Sequence, residues 1–591
     1  MHISSIVVVN FRNFKFLEIR NLSGAAVIVG ENGVGKTNLV AALRLVLDPS
    51  LPDTARELDA EDFWDGLERP FHGEVIQIVV ELAGFDDDDR AKGVLGDAIV
   101  DDDPVTARLT YAFRPRDTLR EGHEPVSPKD YEAVTYVGLD DDPTPFGADV
   151  RRWISLQSLP ALRDAESDLR SWSRSPVSRL LDDLGLAPER LEQIADKSRE
   201  ASRELLEEES VVDLQDALNE RLQDMVGEVF AVELSLDVGA TRADQVLRAI
   251  QVQIDNRRDI TRTSLGSANL LYLALLLERL ARRRRNNDLV SRLLAIEEPE
   301  AHLHPHVQRV LFRHLVATEP ELLLTTHSAH VASVSPLRSL VLLRNTGADG
   351  TVALRPPVDE LSERQTRDLE RYLDVTRAEM LFARGVILVE GAAELYLVPA
   401  FAAELGHDLD ALGVSVCSVH GVDFKPYRML LGSGGLEIPH VVITDGDADR
   451  DRRGREHAGV KRGRLLLTGD DREAVADAIA GEDFQTAREL LAAHGVHVGV
   501  YTIEVDLVDG AADAMRTTYR ELGASSVSRA KFRAELEDIG SGPEGRKALV
   551  RRIEGRGKGR FAQRLAEHLG AAAPPAYIKD AIESLVDQLV G

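Results

Sequence analysis

The chain has 591 residues, 43% of them hydrophobic and 29% charged, which predicts a globular protein of roughly two to four domains. Its 100 acidic against 71 basic residues leave a formal net charge of −29, which argues against a surface coated for nucleic acid and allows only a local basic groove or a metal-bridged phosphate contact. The single cysteine, Cys417, excludes a disulfide framework and a thiolate zinc site, and fits a reducing cytosol.

The opening "MHISSIVVVNFRNFKF" has neither the basic leader nor the long apolar core of a signal peptide, and no apolar stretch approaches the ~18 residues of a membrane span. A cytoplasmic protein without membrane contact is expected. The β-like run "GAAVIV" then turns through "GENGVGKT" into the helix-like "NLVAALRLVL". Gly30 to Thr37 match the phosphate-binding pattern G-x-x-x-x-G-K-[ST]. Asn32, Gly33 and Gly35 form a loop that curls its backbone N–H groups toward ATP, and Asn38 lies in the helix whose positive end adds to the field. Lys36 is expected to reach the outer phosphates and Thr37 to bind Mg²⁺.

Residues 60–150 alternate β-like runs such as "GEVIQIVVELAGF" with acidic or proline-rich turns, and residues 160–230 read as helices without a sustained heptad. The helices predict an insertion used for self-association. Further on, Leu293 to Ile296 read as a buried strand with Glu297 and Glu298 at its C-terminal end, the edge where open α/β sheets bind ligands. Glu297 is expected to support the Mg²⁺ shell and Glu298 to polarise the attacking water. A second strand, Leu322 to Thr325, ends beside His327, which is placed to contact a γ-phosphate or orient water. His302, His304 and His306 flank Pro305 and read as a loop entering a helix rather than a zinc site.

Taken together, "NFRNF", "GENGVGKTN", "LLAIEEPEAHLHP" and "TTHS" resemble an ATP-binding-cassette ATPase of the branch that includes the RecF and SMC proteins. Glu297 stands where that family usually carries an aspartate. The resemblance implies two heads that sandwich ATP, each completing the other's site with a signature loop. "TSLGSANLL" stands at that loop's place, with Ser264 and Gly266 as the contacts it implies, although it departs from the usual "LSGG"; Gln157 is the candidate for the Gln-loop.

A new α/β pattern begins after about residue 375. "GVILVE" reads as a strand ending in Glu390, and Glu394 falls in the first turn of the following helix. A helix cap explains Glu394 alone but not Glu390 as well. "HVVITDGDAD" brings Asp445 and Asp447 to the end of another strand, and "GVHVGVYTIEVDLVD" reads as a third β-like segment carrying Glu504 and Asp506. Clustered carboxylates repel unless cations compensate, and all-oxygen ligands favour Mg²⁺ or Mn²⁺. Two such ions support phosphodiester cleavage. Lys558 lies in the basic stretch "RIEGRGKGRFAQRL", where it can add positive charge to a transition state while neighbouring arginines hold DNA phosphates.

This set resembles a Toprim domain, by the glutamate motif "LVEGAAE" and the D-x-D motif "ITDGDAD". An ATPase of this kind followed by Toprim resembles the OLD family of nucleases, named for overcoming lysogenisation defect. The resemblance implies metal ligands at Glu390, Glu394, Asp445, Asp447, Glu504 and Asp506 and a catalytic lysine at Lys558. It also implies homodimers, DNA cleavage or nicking, a role in phage defence and, in part of the family, a helicase partner. The expected fold is α/β: an ABC-type P-loop ATPase at 1–155 and 236–375, a helical insertion at 156–235, and a Rossmann-like Toprim domain with a C-terminal helical extension at 376–591. The competing expectation is an ATP-regulated DNA clamp or repair scaffold that leaves phosphodiester bonds intact.

Overall fold

The computed structural model describes residues 1–119, 124–141, 143–160, 175–184, 186–206, 208–226, 250, 253–254, 258–259, 264–285, 290–319, 321–449, 456–570 and 572–590. The chain forms two compact units. One comprises Met1–Gly147, Leu293–Glu300 and Pro305–Gly591; the other comprises Ala148–Arg292 with Ala301–His304.

Three sheets organise the first unit. An antiparallel sheet runs from the edge strand β2 (Phe14–Ile19) through β1 (His2–Phe11), β4 (Ile76–Ala83) and β5 (Val105–Pro115) to β6 (Tyr131–Val137). In β4 every second residue is buried because one face packs inward, whereas β5 is buried without a break from Leu109 to Phe113. They account for the β-like runs expected between residues 60 and 150.

The second sheet carries the nucleotide motifs. Its core is parallel, in the order β9 (Leu340–Asn345), β3 (Ala26–Val29), β8 (Leu322–Thr326) and β7 (Ser291–Glu297), with β10 (Thr351–Leu354) antiparallel to β9. β3 and β8 are buried at every position, the pattern of strands covered on both faces. Helix α1 (Lys36–Leu47) follows β3 through the glycine-rich loop.

The third sheet is wholly parallel, in the order β12 (Val414–Ser418), β11 (Gly385–Val389), β13 (His440–Thr444) and β14 (Val496–Val498). Its core takes in α2 (Ala392–Glu404) and also the C-terminal helices α3 (Pro543–Glu554), α4 (Lys558–Ala566) and α5 (Ala576–Val590), through Phe401, Ile553, Phe561 and Ile582. One expectation changes here. The segment carrying Glu504 and Asp506 is not a strand: β14 stops at Val498, and both carboxylates lie on the short helix Ile503–Asp506. Strand alternation in "YTIEVDLVD" is overridden because Thr502 starts a helical turn whose Ile503, Glu504 and Val505 are all buried.

The second unit holds helices Pro176–Asp182, Pro188–Leu206, Glu209–Val226 and Leu265–Arg285. Of the segment expected as a helical insertion, 156–235, residues 156–159 belong to the strand Ile154–Leu159, three of these helices fall within the remainder, and residues 161–174, 185, 207 and 227–235 lie outside the described residues. Among the described residues no helix is long and apolar enough to cross a membrane.

Phe401 is fully buried in the third sheet's core. Phe401→Ala is expected to cost about 3–5 kcal/mol, read as an earlier denaturant midpoint for that part of the chain.

Candidate active sites

The glycine-rich loop occupies the C-terminal end of β3, where Gly33 and Gly35 take φ of 79° and 101°. Lys36 folds back so that its Nζ donates to the carbonyls of Gly30 at 2.8 Å and Glu31 at 3.0 Å, bracing the loop from inside. Burial lowers the Lys36 ammonium from its ordinary value, against the pull of Glu298 and Glu300. Asn38 does not face the loop's concavity alone. Its amide donates to Asn13 at 2.7 Å and its carbonyl accepts from Arg12 at 3.0 Å, while Asn13 donates to the Val34 carbonyl at 2.8 Å. "NFRNF" thus serves as the loop's buttress.

Glu297 closes β7 in register with Thr325 and shares a hydrogen bond with the Thr37 side chain. Burial raises the Glu297 carboxyl, partly offset by Thr37. Glu298 leaves the strand with φ of 43°, a left-handed conformation uncommon for a non-glycine residue. That turn sets it apart from Glu297, and His327 Nδ1 lies 3.5 Å from its carboxylate. The motifs expected to share one site therefore do so: Lys36, Thr37, Glu297, Glu298 and His327 all belong to the C-terminal edge of one parallel sheet.

Sequence reasoning passed over Glu300. It is buried, and its Oε1 accepts from Thr326 Oγ1 at 2.5 Å and His327 N at 3.1 Å, so it holds the β8 end in place. The signal was available as the third glutamate of "EEPE".

In the second unit, Ser264 Oγ accepts from Ser267 N at 3.2 Å and so sits at the start of helix Leu265–Arg285, where Gly266 is buried against the His302 carbonyl. Gln157 lies in the strand Ile154–Leu159.

The other site stands at the C-terminal edge of the third sheet. Glu390 follows β11 and Asp445 follows β13, and these strands pair directly, with Val389 opposite Ile443. Glu390 accepts from Thr444 Oγ1, from Asp445 N at 3.0 Å and from Arg462 Nη2 at 3.1 Å. Arg462 Nη1 also reaches Asp447 at 2.9 Å, so one guanidinium ties Glu390 to Asp447. Sequence reading did not find Arg462, which is distant in the chain and lies in no motif. Asp445 accepts from Ile503 N at 2.9 Å, which draws in the helix that bears Glu504. Glu504 in turn pairs with Lys558 Nζ at 3.1 Å. The "DGD" glycine is sterically required: a Cβ on Gly446 would lie 2.1 Å from the Gly499 carbonyl.

The electrostatics follow from this crowding. Burial first, and then Glu390, Glu504, Glu394 and Asp447, raise the Asp445 carboxyl well above its usual range. Burial, helped by Glu390 and Glu504 and opposed by Lys558, pushes Glu394 up to about 7. Burial pulls Lys558 down, but Glu504, Asp445 and Glu554 outweigh it and hold the ammonium above its ordinary value. Asp506 is the exception to the expected ligand set. Its oxygens accept from Val500 N at 2.9 Å and Tyr501 N at 3.0 Å, and it stabilises that turn instead of joining the other carboxylates.

Among the described residues, no three His, Cys, Asp or Glu side chains are drawn close enough to hold one metal ion. The donor set nevertheless fits a hard divalent cation: it is all carboxylate oxygen, and Glu504 Oε2 is buried without a hydrogen-bond partner.

Comparison with known proteins agrees with this two-site arrangement. The family model for the TOPRIM domain of overcoming lysogenization defect protein-like proteins matches residues 381–447. An AAA-domain model, described as AbiEii toxin, Type IV TA system, matches residues 25–333, more than half of the chain. The uncharacterized protein YbjD of Escherichia coli is 25% identical over 80% of this chain and 83% of its own length. The OLD nuclease of Thermus scotoductus is 26% identical, covering 74% of this chain and 81% of that protein. A solved structure of the C-terminal region of the Burkholderia pseudomallei OLD protein is 37% identical over 35% of this chain and all of that one, with a TM-score of 0.30.

The raised Glu394 carboxyl has a consequence for stability. A carboxyl bound more tightly to its proton in the folded chain costs nothing below its unfolded value of 4.5, and its folded form loses stability as pH rises toward about 7. In EDTA, Glu394→Gln is therefore expected to stabilise the protein at pH 8 by up to about 3 kcal/mol, with the gain vanishing near pH 4. Denaturant melts across pH measure it, and Mg²⁺ should favour the parent over the variant.

Proposed function

The chain belongs to the OLD family of nucleases, with an N-terminal AAA-type ATPase domain and a C-terminal Toprim domain, and on that premise we propose that it cuts DNA at the carboxylate cluster under control of ATP bound at the glycine-rich loop. It is an ATP- and metal-dependent nuclease, and phage defence is the role that fits its relatives. The observation that carries the reading is that Glu390, Glu504, Glu394 and Asp447 all lie near enough to Asp445 to raise its carboxyl, with Lys558 paired to Glu504 beside them.

In this reading Glu390, Glu394, Asp445, Asp447 and Glu504 hold Mg²⁺ or Mn²⁺. The cations supply charge neutralisation for the scissile phosphate and a lowered pKa for the attacking water. Arg462 and the backbone N–H groups of Asp445 and Ile503 fix the directions of the carboxylates. Lys558, kept charged by Glu504, faces the same cluster and stabilises negative charge on the phosphate or protonates the leaving oxygen. Asp506 contributes by shaping the 500–501 turn.

At the other site Lys36 and the loop N–H groups hold the ATP phosphates, and Thr37 with Glu297 holds its Mg²⁺. Glu298 and His327 orient the attacking water. Ser264 and Gly266 complete the site of a second copy in a homodimer. The two halves touch through Arg344, at the end of β9, which donates to the Glu437 carbonyl. A cavity of about 330 Å³ beside it is lined by Glu31 and Asn32 of the loop and by Arg384 and Pro439, which precede β11 and β13. A loop that moves with its nucleotide thus has a direct path to the strands bearing Glu390 and Asp445, so ATP tunes cleavage without fuelling it.

Asp445→Ala is expected to lower cleavage of supercoiled or linear DNA in Mg²⁺ or Mn²⁺ by at least about a hundredfold while ATPase activity stays near the parent's. Glu298→Gln should reduce ATP turnover far more than ATP binding. Equal loss of both activities in a folded Asp445→Ala protein would count against separate chemistries, and a parent that cuts no DNA would favour the clamp. Molecular mass with and without a nonhydrolysable ATP analogue tests the dimer.

A further inference from the structure

A hollow of about 860 Å³ adjoins the carboxylate cluster, yet none of Glu390, Glu394, Asp445 or Glu504 lines it. Its wall at Val500 and Tyr501 is hydrogen-bonded to the D-x-D loop: Gly446 N and Asp447 N donate to the Tyr501 carbonyl at 2.8 and 3.3 Å, and Ala448 N to that of Val500 at 3.2 Å. A narrower groove of about 220 Å³, lined by Asp447, Lys547 and Arg551, shares Tyr501 and Arg546 with the hollow. A strand lying along that groove therefore has the hollow within reach of its next nucleotide.

The chemistry of the lining is selective. Tyr501, Tyr577 and Pro574 offer flat, apolar surfaces. Arg488, His497 and Asp580 offer hydrogen-bonding groups of both senses. His497 is only 3% exposed, and neither ring nitrogen has a hydrogen-bond partner. A buried imidazole left unpaired is costly, and such a group in a native fold calls for an explanation. Burial lowers this imidazole to about 4, against the pull of Asp580, so it stands neutral with one donor and one acceptor. The acidic residues nearby are not arranged as a cation site among the described residues. Arg546 is already committed as a two-pronged partner of Asp449, at 2.6 and 2.8 Å, with its guanidinium 4.2 Å from the Tyr501 ring centre, so the hollow lacks a free phosphate clamp at that position. Flat walls with a mixed donor and acceptor edge suit a heterocyclic base better than a phosphate or a metal.

We infer that this hollow receives one unpaired nucleobase of the DNA strand whose backbone passes Asp447, so that the enzyme engages a frayed, flipped or single-stranded nucleotide beside the cut. This rests on the reading of the Toprim half as a DNA nuclease. Stacking on an aromatic wall of the hollow supplies affinity, and His497 with Asp580 reads the base edge.

The test uses the full-length protein and a fluorescent single-stranded oligonucleotide, with one abasic nucleotide moved along it position by position, in Ca²⁺. Binding is read by anisotropy. At one position the missing base should weaken binding of the parent by about tenfold. His497→Phe, which removes the hydrogen-bonding edge of the ring, and Asp580→Ala, on an exposed helix position, should each reduce that penalty to about twofold or less. A parent indifferent to abasic nucleotides at every position, or variants that keep the full penalty, would overturn the pocket. Cleavage of the intact oligonucleotide in Mg²⁺ or Mn²⁺ is measured alongside. A parent that discriminates but does not cut overturns the nuclease reading and keeps the pocket, whereas one that cuts without discriminating does the reverse.

Discussion

Mutual repulsion among buried carboxylates is the constraint around which the C-terminal half is built. Glu394 is only 6% exposed and Glu504 5%, and both lie close enough to Asp445 to raise its carboxyl. Such a group is tolerated only where fixed donors and cations offset it. The chain supplies them from four directions: backbone N–H groups at the sheet edge, Thr444 beside Glu390, Arg462 across to Asp447, and Lys558 from the C-terminal helices. The long helical extension thereby acquires a reason. Without α4 packed beside α2, Glu504 would have no ammonium partner.

The two sites use one construction. In each, parallel strands buried along their length end together, and the acidic residue immediately after a strand is presented at the sheet edge. A parallel sheet aligns all its C-terminal ends, which is why residues far apart in sequence meet there. Each site also holds an acidic residue in left-handed conformation, Glu298 with φ of 43° and Asp447 with φ of 49°. Such backbone persists where surrounding bonds over-determine it. For Asp447 those bonds come from the Tyr501 carbonyl and from Arg462; for Glu298, from its N–H to the Thr325 carbonyl.

These features give the functional parts two different supports. Glu390 and Asp445 stand on buried strands that begin at the cavity shared with the glycine-rich loop. Asp506 accepting from Tyr501 N, and Arg546 lying over the Tyr501 ring while it bonds Asp449, form a rim of the neighbouring hollow. The first arrangement suits communication with a nucleotide, the second suits shaping of a DNA path.

Local chemistry made much of this legible in the sequence. A glycine-rich loop needs Gly33 and Gly35 for positive φ, and buried parallel strands must be apolar up to the acidic residue that ends them, so "GENGVGKT", "LLAIEE", "GVILVE" and "VVITDGD" announced both sheets and their functional edges. The sequence alone also carried the helical character of residues 176–226 where they are described. Tertiary structure decided what depends on partners remote in the chain. It turned Glu504 toward Lys558 and Asp506 toward the 500–501 turn, although the two are adjacent in one acidic motif, because a helix, unlike the expected strand, sends them to different neighbours. It also recruited Glu300 and Arg462, whose roles come from hydrogen bonds across 27 and 72 residues and leave no local periodicity to read.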